Sequence, residues 1–120
     1  MPSNQPYIFW SRQDLFDKMK GQCYAYDFDL RLLHEAVYSE EWNPIEQYNG
    51  CNFVQDGLHP FYPCFIHDYR WIVEGITNRS DKEFRNNLLK FGYSTFRATM
   101  YYFAVRIGGV FFKLKKRYNK

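Results

Sequence analysis

The chain has 120 residues, which suffices for one domain but not for a second hydrophobic core. An apolar share of 46% and an aromatic share of 22% exclude a disordered, charge-rich segment. Sixteen Lys and Arg against thirteen Asp and Glu give a net charge of +3, too small to imply nucleic-acid binding without a concentrated basic patch. We therefore expect a single folded domain over residues 1–120.

Location is predicted from the N-terminus, the apolar stretches and the cysteines. Residues 1–6 show no basic segment followed by an apolar run, so cytoplasmic synthesis without a secretory signal is expected. No transmembrane segment is expected, because Arg97, Arg106 and Lys113 interrupt the most apolar region. The cysteines form no C-x-x-C pair and are predicted to be reduced, buried thiols. They are Cys23, Cys51 and Cys64.

The N-terminal part, residues 1–42, is predicted to hold two helices. Ser11 begins a capping-box pattern that starts the first helix, and Gly21 is expected to end it. Asp27 or Asp29 can cap the second helix, which shows apolar residues at helical spacing and should run to about Glu41.

Residues 43–62 are predicted to be a long loop that could include a short β-hairpin, with a strand around Phe53 and Val54. Loops of this length in small domains are more often functional than idle. The residues that interrupt regular structure in and beside this loop are Pro44, Gly50, Gly57, Pro60 and Pro63.

Residues 63–112 are predicted to be the helical core. Pro63 suits the first position of one helix, and Ser80 with a glutamate three residues later reads as the capping box of the next, which ends near Gly92. A short turn between them would make these two core helices antiparallel. A long helix begins at Ser94, and its wide apolar face consists of Phe96, Met100, Phe103, Ala104, Ile107, Val110, Phe111 and Leu114. The fold class predicted is therefore mostly α.

His67 and Asp68 are the first candidates for chemistry. They are adjacent on a helix, so their side chains diverge by about 100° and must serve two different tasks. A histidine titrating near neutral pH is a natural general base, and the neighbouring carboxylate can hold a cation. The alternatives are a satisfied core histidine and a solvent-facing acid. His34 and His59 are expected to be a helix-packing residue and a loop residue.

Asp81 is the candidate acceptor that would orient His67 as a base. It shares one face of its helix with Phe84 and Leu88, and a carboxylate on an apolar face is costly unless it is paired. The alternative is a first-turn acid favoured by the helix dipole.

The segment Pro63-Cys64-Phe65-Ile66-His67-Asp68-Tyr69, followed by Ser80-Asp81-Lys82-Glu83-Phe84, resembles the C-x-x-H-D-x-x-Y helix and downstream Asp of phospholipase A2 domains. The likeness is greatest to the short prokaryotic and parvovirus-type domains. The chain also resembles a phage-associated family of uncharacterised domains in which an H-D-Y helix and a D-x-x-F helix precede an aromatic helix bearing V-R-x-x-G. Both resemblances fall within residues 50–109, about half of the chain.

The phospholipase resemblance implies that His67 activates a water for attack on an ester, that Asp81 orients His67 and that Asp68 ligates calcium. Calcium wants six or more oxygen ligands, so the resemblance also implies ligands from the upstream loop. Here these would come from Asp56 and Gly57, although the loop is poorer in glycine than the family's loop.

Two supporting residues also follow from this resemblance. Cys64 stands at a familiar position, and Tyr69 follows Asp68 directly instead of at the family's spacing. The tyrosine and the upstream loop both differ from the phospholipase A2 pattern, so the resemblance is greatest in the His-Asp core.

The tail, residues 113–120, places cations beside aromatics, which suits an anionic membrane surface. Its alternative is a helix C-terminus that favours cations for its own dipole. The cations predicted to touch a membrane or another anion are Lys113, Lys115, Lys116 and Arg117. Nucleic-acid binding would rest on this tail alone.

Two functions are therefore expected. The first is a phospholipase A2-like, calcium-assisted hydrolysis of an acyl ester at a membrane surface. The second is a non-enzymatic phage structural or interaction protein, associated with a virion and its proteins, in which His67, Asp68 and Asp81 form a structural clamp. An enzyme needs a groove that reaches His67, whereas a clamp does not.

Overall fold

The structure, a computed structural model, describes residues 10–48 and 60–118, and the side chains of these residues up to 109. Within these ranges the chain forms six helices and no strand, so the prediction of a small, mostly α domain is confirmed. The strand predicted around Phe53 and Val54 lies outside the described residues. The helices are α1 (Arg12–Tyr26), α2 (Leu30–Tyr38), α3 (Pro44–Gln47), α4 (Tyr62–Val73), α5 (Asn78–Phe91) and α6 (Thr95–Tyr118).

The first helix begins where the sequence predicts and ends later. The Ser11 side chain accepts a hydrogen bond from the backbone N–H of Asp14, whose carboxylate accepts one from Ser11, so the capping box is confirmed. The helix continues through Gly21, and the predicted end there is wrong. A helical glycine costs only about 1 kcal/mol, which the buried row of Leu15, Met19 and Cys23 outweighs. The left-handed Asp27 ends the helix at φ 58°.

The second helix starts at the Asp29 cap and ends at Tyr38, short of residue 41. Its last carbonyls are taken by Arg12 of α1, whose guanidinium donates to the backbone oxygens of Val37 and Ser39, each at 2.7 Å. This side chain therefore fixes α2 against α1 and supplies partners that a helix end lacks.

The fourth helix, α4, is the centre of the fold, because almost every residue from 61 to 69 is buried. Its start has no side-chain cap of its own. The backbone N–H of Tyr62 instead donates to Gln22 Oε1 at 2.8 Å, and that of Phe61 donates to the Tyr48 hydroxyl at 3.1 Å. Pro63 lies in the first turn, as predicted. The predicted loop before it contains the short α3 helix.

The fifth helix is capped by Thr77, not by Ser80, which lies inside the helix; the predicted capping box is therefore wrong. Thr77 accepts a hydrogen bond from the backbone N–H of Ser80 at 3.1 Å. Gly92 ends α5 in the left-handed conformation at φ 117°, as predicted. Contacts between α4 and α5 run in opposite residue order, which confirms the antiparallel pair.

One continuous core joins α1, α2, α4, α5 and α6. The last helix packs against α5 through Ala98 and Val105, both buried. Gly109 is also buried, and a Cβ there would lie 2.9 Å from Cγ2 of Ile76. The packed face of α6 therefore includes the small residues Ala98 and Gly109, whereas four large side chains of the predicted apolar face are exposed, namely Phe96, Met100, Phe103 and Ile107.

Candidate functional site

His67 and Asp81 meet in the interior between α4 and α5. The distance between His67 Nε2 and Asp81 Oδ1 is 2.6 Å, a short charge-assisted hydrogen bond. The relative exposure is 5% for His67 and 0% for Asp81. A carboxylate with no contact to water requires partners for its oxygens.

Two further donors complete the environment of Asp81. The indole Nε1 of Trp71 donates to Oδ1 at 3.2 Å, and Nη1 of Arg106 donates to Oδ2 at 3.1 Å. Trp71 lies one turn after His67 on α4, whereas Arg106 comes from α6. We call these four residues, His67, Trp71, Asp81 and Arg106, the Asp81 cluster.

The Asp81 cluster keeps its carboxylate ionised. Burial acts to raise the pKa of Asp81, but the hydrogen bond and charge of His67, with the donors on Trp71 and Arg106, outweigh it and lower the pKa below the ordinary value of 3.8. Because Asp81 is then an acceptor only, Nε2 of His67 carries the proton of their shared bond. The other nitrogen, Nδ1, is left as the basic atom.

Nδ1 of His67 is the ring nitrogen that does not contact Asp81. His67 makes no other hydrogen bond within the described residues, and no buried side-chain nitrogen or oxygen there lacks a partner. An unpartnered Nδ1 must therefore retain some solvent contact, although the whole side chain is only 6% exposed. The ring is held by Trp71 and Phe84, with centroid distances of 4.6 and 4.8 Å.

The location of Asp81 follows from its sequence neighbours. Phe84 and Leu88, on the same face of α5, are both buried, as their helical spacing predicts. Asp81 lies in the first turn of α5, as the alternative of a first-turn acid expects, but its side chain is fully buried and bonded to His67.

Of the three predicted calcium ligands, only Asp68 lies among the described residues. Asp68 is half-buried on α4, while Asp56 and Gly57 lie outside the described residues. Among the described residues, no three His, Cys, Asp or Glu side chains come together in a way that could hold a metal ion. The two oxygens of Asp81 are already bonded.

The two supporting residues, Tyr69 and Cys64, are both buried on α4. The Tyr69 hydroxyl donates to Glu35 Oε2 on α2 at 2.9 Å, and burial together with this carboxylate raises the pKa of Tyr69 to about 12. Tyr69 thus ties α4 to α2 instead of joining the Asp81 cluster. Cys64 is disulfide-bonded, whereas Cys23 is a free, buried thiol, so the prediction of reduced cysteines is wrong for Cys64.

Three cavities of the described residues lie away from His67. Their volumes are about 650, 190 and 310 Å³, all three are lined in part by residues of α5, and none of the three is lined by His67. The backbone of α6 continues as a helix to Tyr118, so four predicted contact cations, Lys113, Lys115, Lys116 and Arg117, lie on its last turns.

The roles of Trp71 and Arg106 were missed by sequence reasoning. Trp71 carried a signal, since it lies four residues after His67 and shares its helix face. Arg106 belongs to the V-R-x-x-G motif, but nothing in the sequence relates this arginine to Asp81, 25 residues earlier.

No protein-family model matches the chain, and neither does any curated protein or solved structure. In the described part of the chain, no helix has the length and apolar character needed to cross a membrane.

Proposed function

We propose that this chain is a phospholipase A2-like hydrolase that cleaves an acyl ester at a membrane surface, with His67 as general base and Asp81 as its positioning residue. The observation that carries the proposal is the 2.6 Å bond between His67 Nε2 and Asp81 Oδ1, which leaves Nδ1 as the free basic atom. Resemblance to the phospholipase A2 His-Asp core supplies the reaction class.

The reaction proposed is a general-base hydrolysis. Nδ1 of His67 takes a proton from a water molecule as the water oxygen bonds to the acyl carbon. The ester C–O bond then breaks, and His67 returns the proton to the leaving alcohol. Asp81 holds the ring in one orientation and stabilises the imidazolium that forms between these steps.

Calcium remains part of the proposal, with Asp68 as one ligand and Asp56 and Gly57 as ligands outside the described residues. A bound calcium ion would supply positive charge to polarise the ester carbonyl.

Hydrolysis of a fluorescent phospholipid, measured with calcium at millimolar concentration, tests the proposal. We expect His67→Gln to abolish turnover. His34→Gln is the matched control, because His34 is an exposed histidine that packs on Phe16 and Tyr38. Titration calorimetry should show saturable calcium binding that is lost in Asp68→Asn and kept in Asp17→Asn.

The second candidate is the phage structural or interaction protein that uses the Asp81 cluster as a clamp. Two observations favour it. Arg106 occupies the second oxygen of Asp81 and thereby links α6 to α5, and the three cavities described above are not lined by His67. Absence of turnover and of calcium binding in the folded wild-type protein would leave the clamp as the better account.

A further inference from the structure

Four large apolar side chains lie exposed along one side of α6. Their relative exposures are 72% for Phe96, 53% for Met100, 57% for Phe103 and 58% for Ile107. The spacing of four, three and four residues places them on a single helix face. We call these four residues the α6 stripe. A contiguous apolar face of this kind on a small domain marks a surface that contacts another apolar phase or a partner.

The charges around the α6 stripe have one sign. From Ser94 to Lys120 the sequence has seven Lys and Arg and no Asp or Glu. Arg97, which follows Phe96 in the sequence, is exposed. Pairing this face with a second copy of itself would bring like charges together, which disfavours a dimer. A partner that presents both apolar groups and negative charge can contact the stripe and its cations at the same time.

A cleft between α5 and α6 adds a place for an anionic group. It has a volume of about 310 Å³ and begins beside Phe103 of the stripe. Its lining includes Lys82 and Arg85, the hydroxyl-bearing Thr99 and Tyr102, and no carboxylate. Arg85 is held in place by a 3.1 Å hydrogen bond from its Nε to the Thr99 hydroxyl. Cations that border an exposed apolar surface are the arrangement of helices that lie in the headgroup region of anionic bilayers.

We infer that the α6 stripe and the adjoining α5–α6 cleft are the docking surface for an anionic phospholipid bilayer, with α6 lying in the membrane plane. The stripe enters the acyl boundary, and the cleft receives a lipid phosphate beside Lys82 and Arg85. The inference rests on the proposed function for the place of the substrate, but docking itself requires no chemistry at His67.

Co-sedimentation of the full chain with vesicles tests the docking surface. Ether-linked lipids are used, because they have no acyl ester and so separate binding from hydrolysis. We expect binding to vesicles of phosphatidylglycerol and phosphatidylcholine, little binding to phosphatidylcholine alone, and weakening as salt is raised. The stripe variant Phe96→Ser/Phe103→Ser should bind about tenfold or more weakly, since it removes two aromatic anchors.

Matched variants separate the surface from general effects. Tyr24→Ser removes a large apolar side chain that is 75% exposed on α1 and should leave binding unchanged. Lys82→Glu reverses a charge in the cleft and should weaken binding severalfold, whereas Lys18→Glu makes the same change at an exposed position on α1 and should have a smaller effect. Equal binding by the wild-type and stripe variants overturns the inference.

Two other outcomes also overturn it. If the wild-type protein sediments as a dimer without lipid and the stripe variant as a monomer, the stripe contacts a second copy. If no vesicle is bound at any salt concentration, the inference of an anionic bilayer is wrong, and an acidic protein becomes the partner to test. The proposed hydrolase fails separately: vesicle binding by His67→Gln with no turnover by the wild type would leave docking intact and remove the enzyme.

Discussion

The Asp81 cluster and the α6 stripe depart in opposite directions from the usual distribution of side chains. In the cluster a carboxylate is fully buried, and each of its oxygens has a donor. In the stripe, four large apolar side chains face away from the core. The buried carboxylate is tolerated because its oxygens are hydrogen-bonded. The exposed apolar side chains of the stripe make few packing contacts that would stabilise the fold. We therefore expect the cluster to contribute to the stability of the fold and the stripe to contribute little to it.

Removal of the buried carboxylate should have the largest effect on stability. Asp81→Ala leaves the His67 Nε2, the Trp71 indole and the Arg106 guanidinium without their acceptor. We expect a loss of about 3–5 kcal/mol in the free energy of unfolding, as for other broken buried pairs. Urea denaturation followed by circular dichroism measures it. Asp17→Ala, at a half-exposed position on α1, should change stability by no more than about 0.5 kcal/mol.

The burial of Asp81 and its pairing with His67 were both predicted from the sequence, whereas its bonds to Trp71 and Arg106 were not. Helical spacing places Asp81 on one face with Phe84 and Leu88, which is a local property of α5. The contact with His67 depends on the length and direction of the turn after Gly75, and the bond to Arg106 depends on how a separate helix packs on α5. Those relations are tertiary, and no single segment encodes them.

The helix ends show the same limit. The caps at Ser11 and Gly92 act through neighbouring backbone atoms and were predicted correctly, and Asp29 was one of the two caps predicted for α2. The predicted end at Gly21 was wrong, because burial of the helix face on both sides of this glycine outweighs its low helix propensity. Similarly, apolar spacing alone cannot tell which side of α6 packs on α5. The small residues Ala98 and Gly109 allow the close approach, so the large side chains of the stripe stay outside.

Acid should remove the contribution of the buried carboxylate in the wild type. The pKa of Asp81 is lower in the folded protein than its ordinary value of 3.8, so its stabilising effect is complete above that value and is lost as pH falls through the folded pKa. Asp81→Asn lacks this titration. We therefore expect the difference in unfolding free energy between wild type and Asp81→Asn to shrink below pH 3.8. A difference that stays constant down to the acid transition would contradict the assignment.

Two adjacent glycines on α6 should respond in opposite ways. A Cβ at Gly108 meets nothing within 4 Å, so Gly108→Ala should raise stability by about 0.5–1 kcal/mol through helix propensity. A Cβ at Gly109 would lie 2.9 Å from Ile76 and 3.5 Å from Trp71. In Gly109→Ala this overpacking should cost about 1–3 kcal/mol, which exceeds the gain in helix propensity and gives a net loss of stability. Thermal unfolding of both variants checks the sign, and equal stabilisation would show that α6 does not pack closely at Gly109.

The indole bond to Asp81 should make a smaller contribution. Trp71→Phe keeps an aromatic ring beside His67 but removes the donor to Asp81 Oδ1, with an expected cost of about 1 kcal/mol. The same substitution in an Asp81→Asn background should cost less, because the charged acceptor has gone. Denaturant unfolding of all four proteins gives the coupling energy between the two residues. A coupling energy of zero would mean that the cost is one of packing alone.

The α6 stripe should contribute least to folding. Phe103 is 57% exposed and lies outside the buried core, so Phe103→Ser should change the free energy of unfolding by no more than about 0.5 kcal/mol. Phe84→Ala is the comparison for a buried phenylalanine, since Phe84 is 1% exposed and packs on His67; its loss should cost about 3–5 kcal/mol. A large loss in Phe103→Ser would mean that the stripe is covered in solution by other parts of the chain or by a second copy. A negligible loss of stability, combined with weaker vesicle binding, would show that the stripe is needed for contact with a membrane and not for folding.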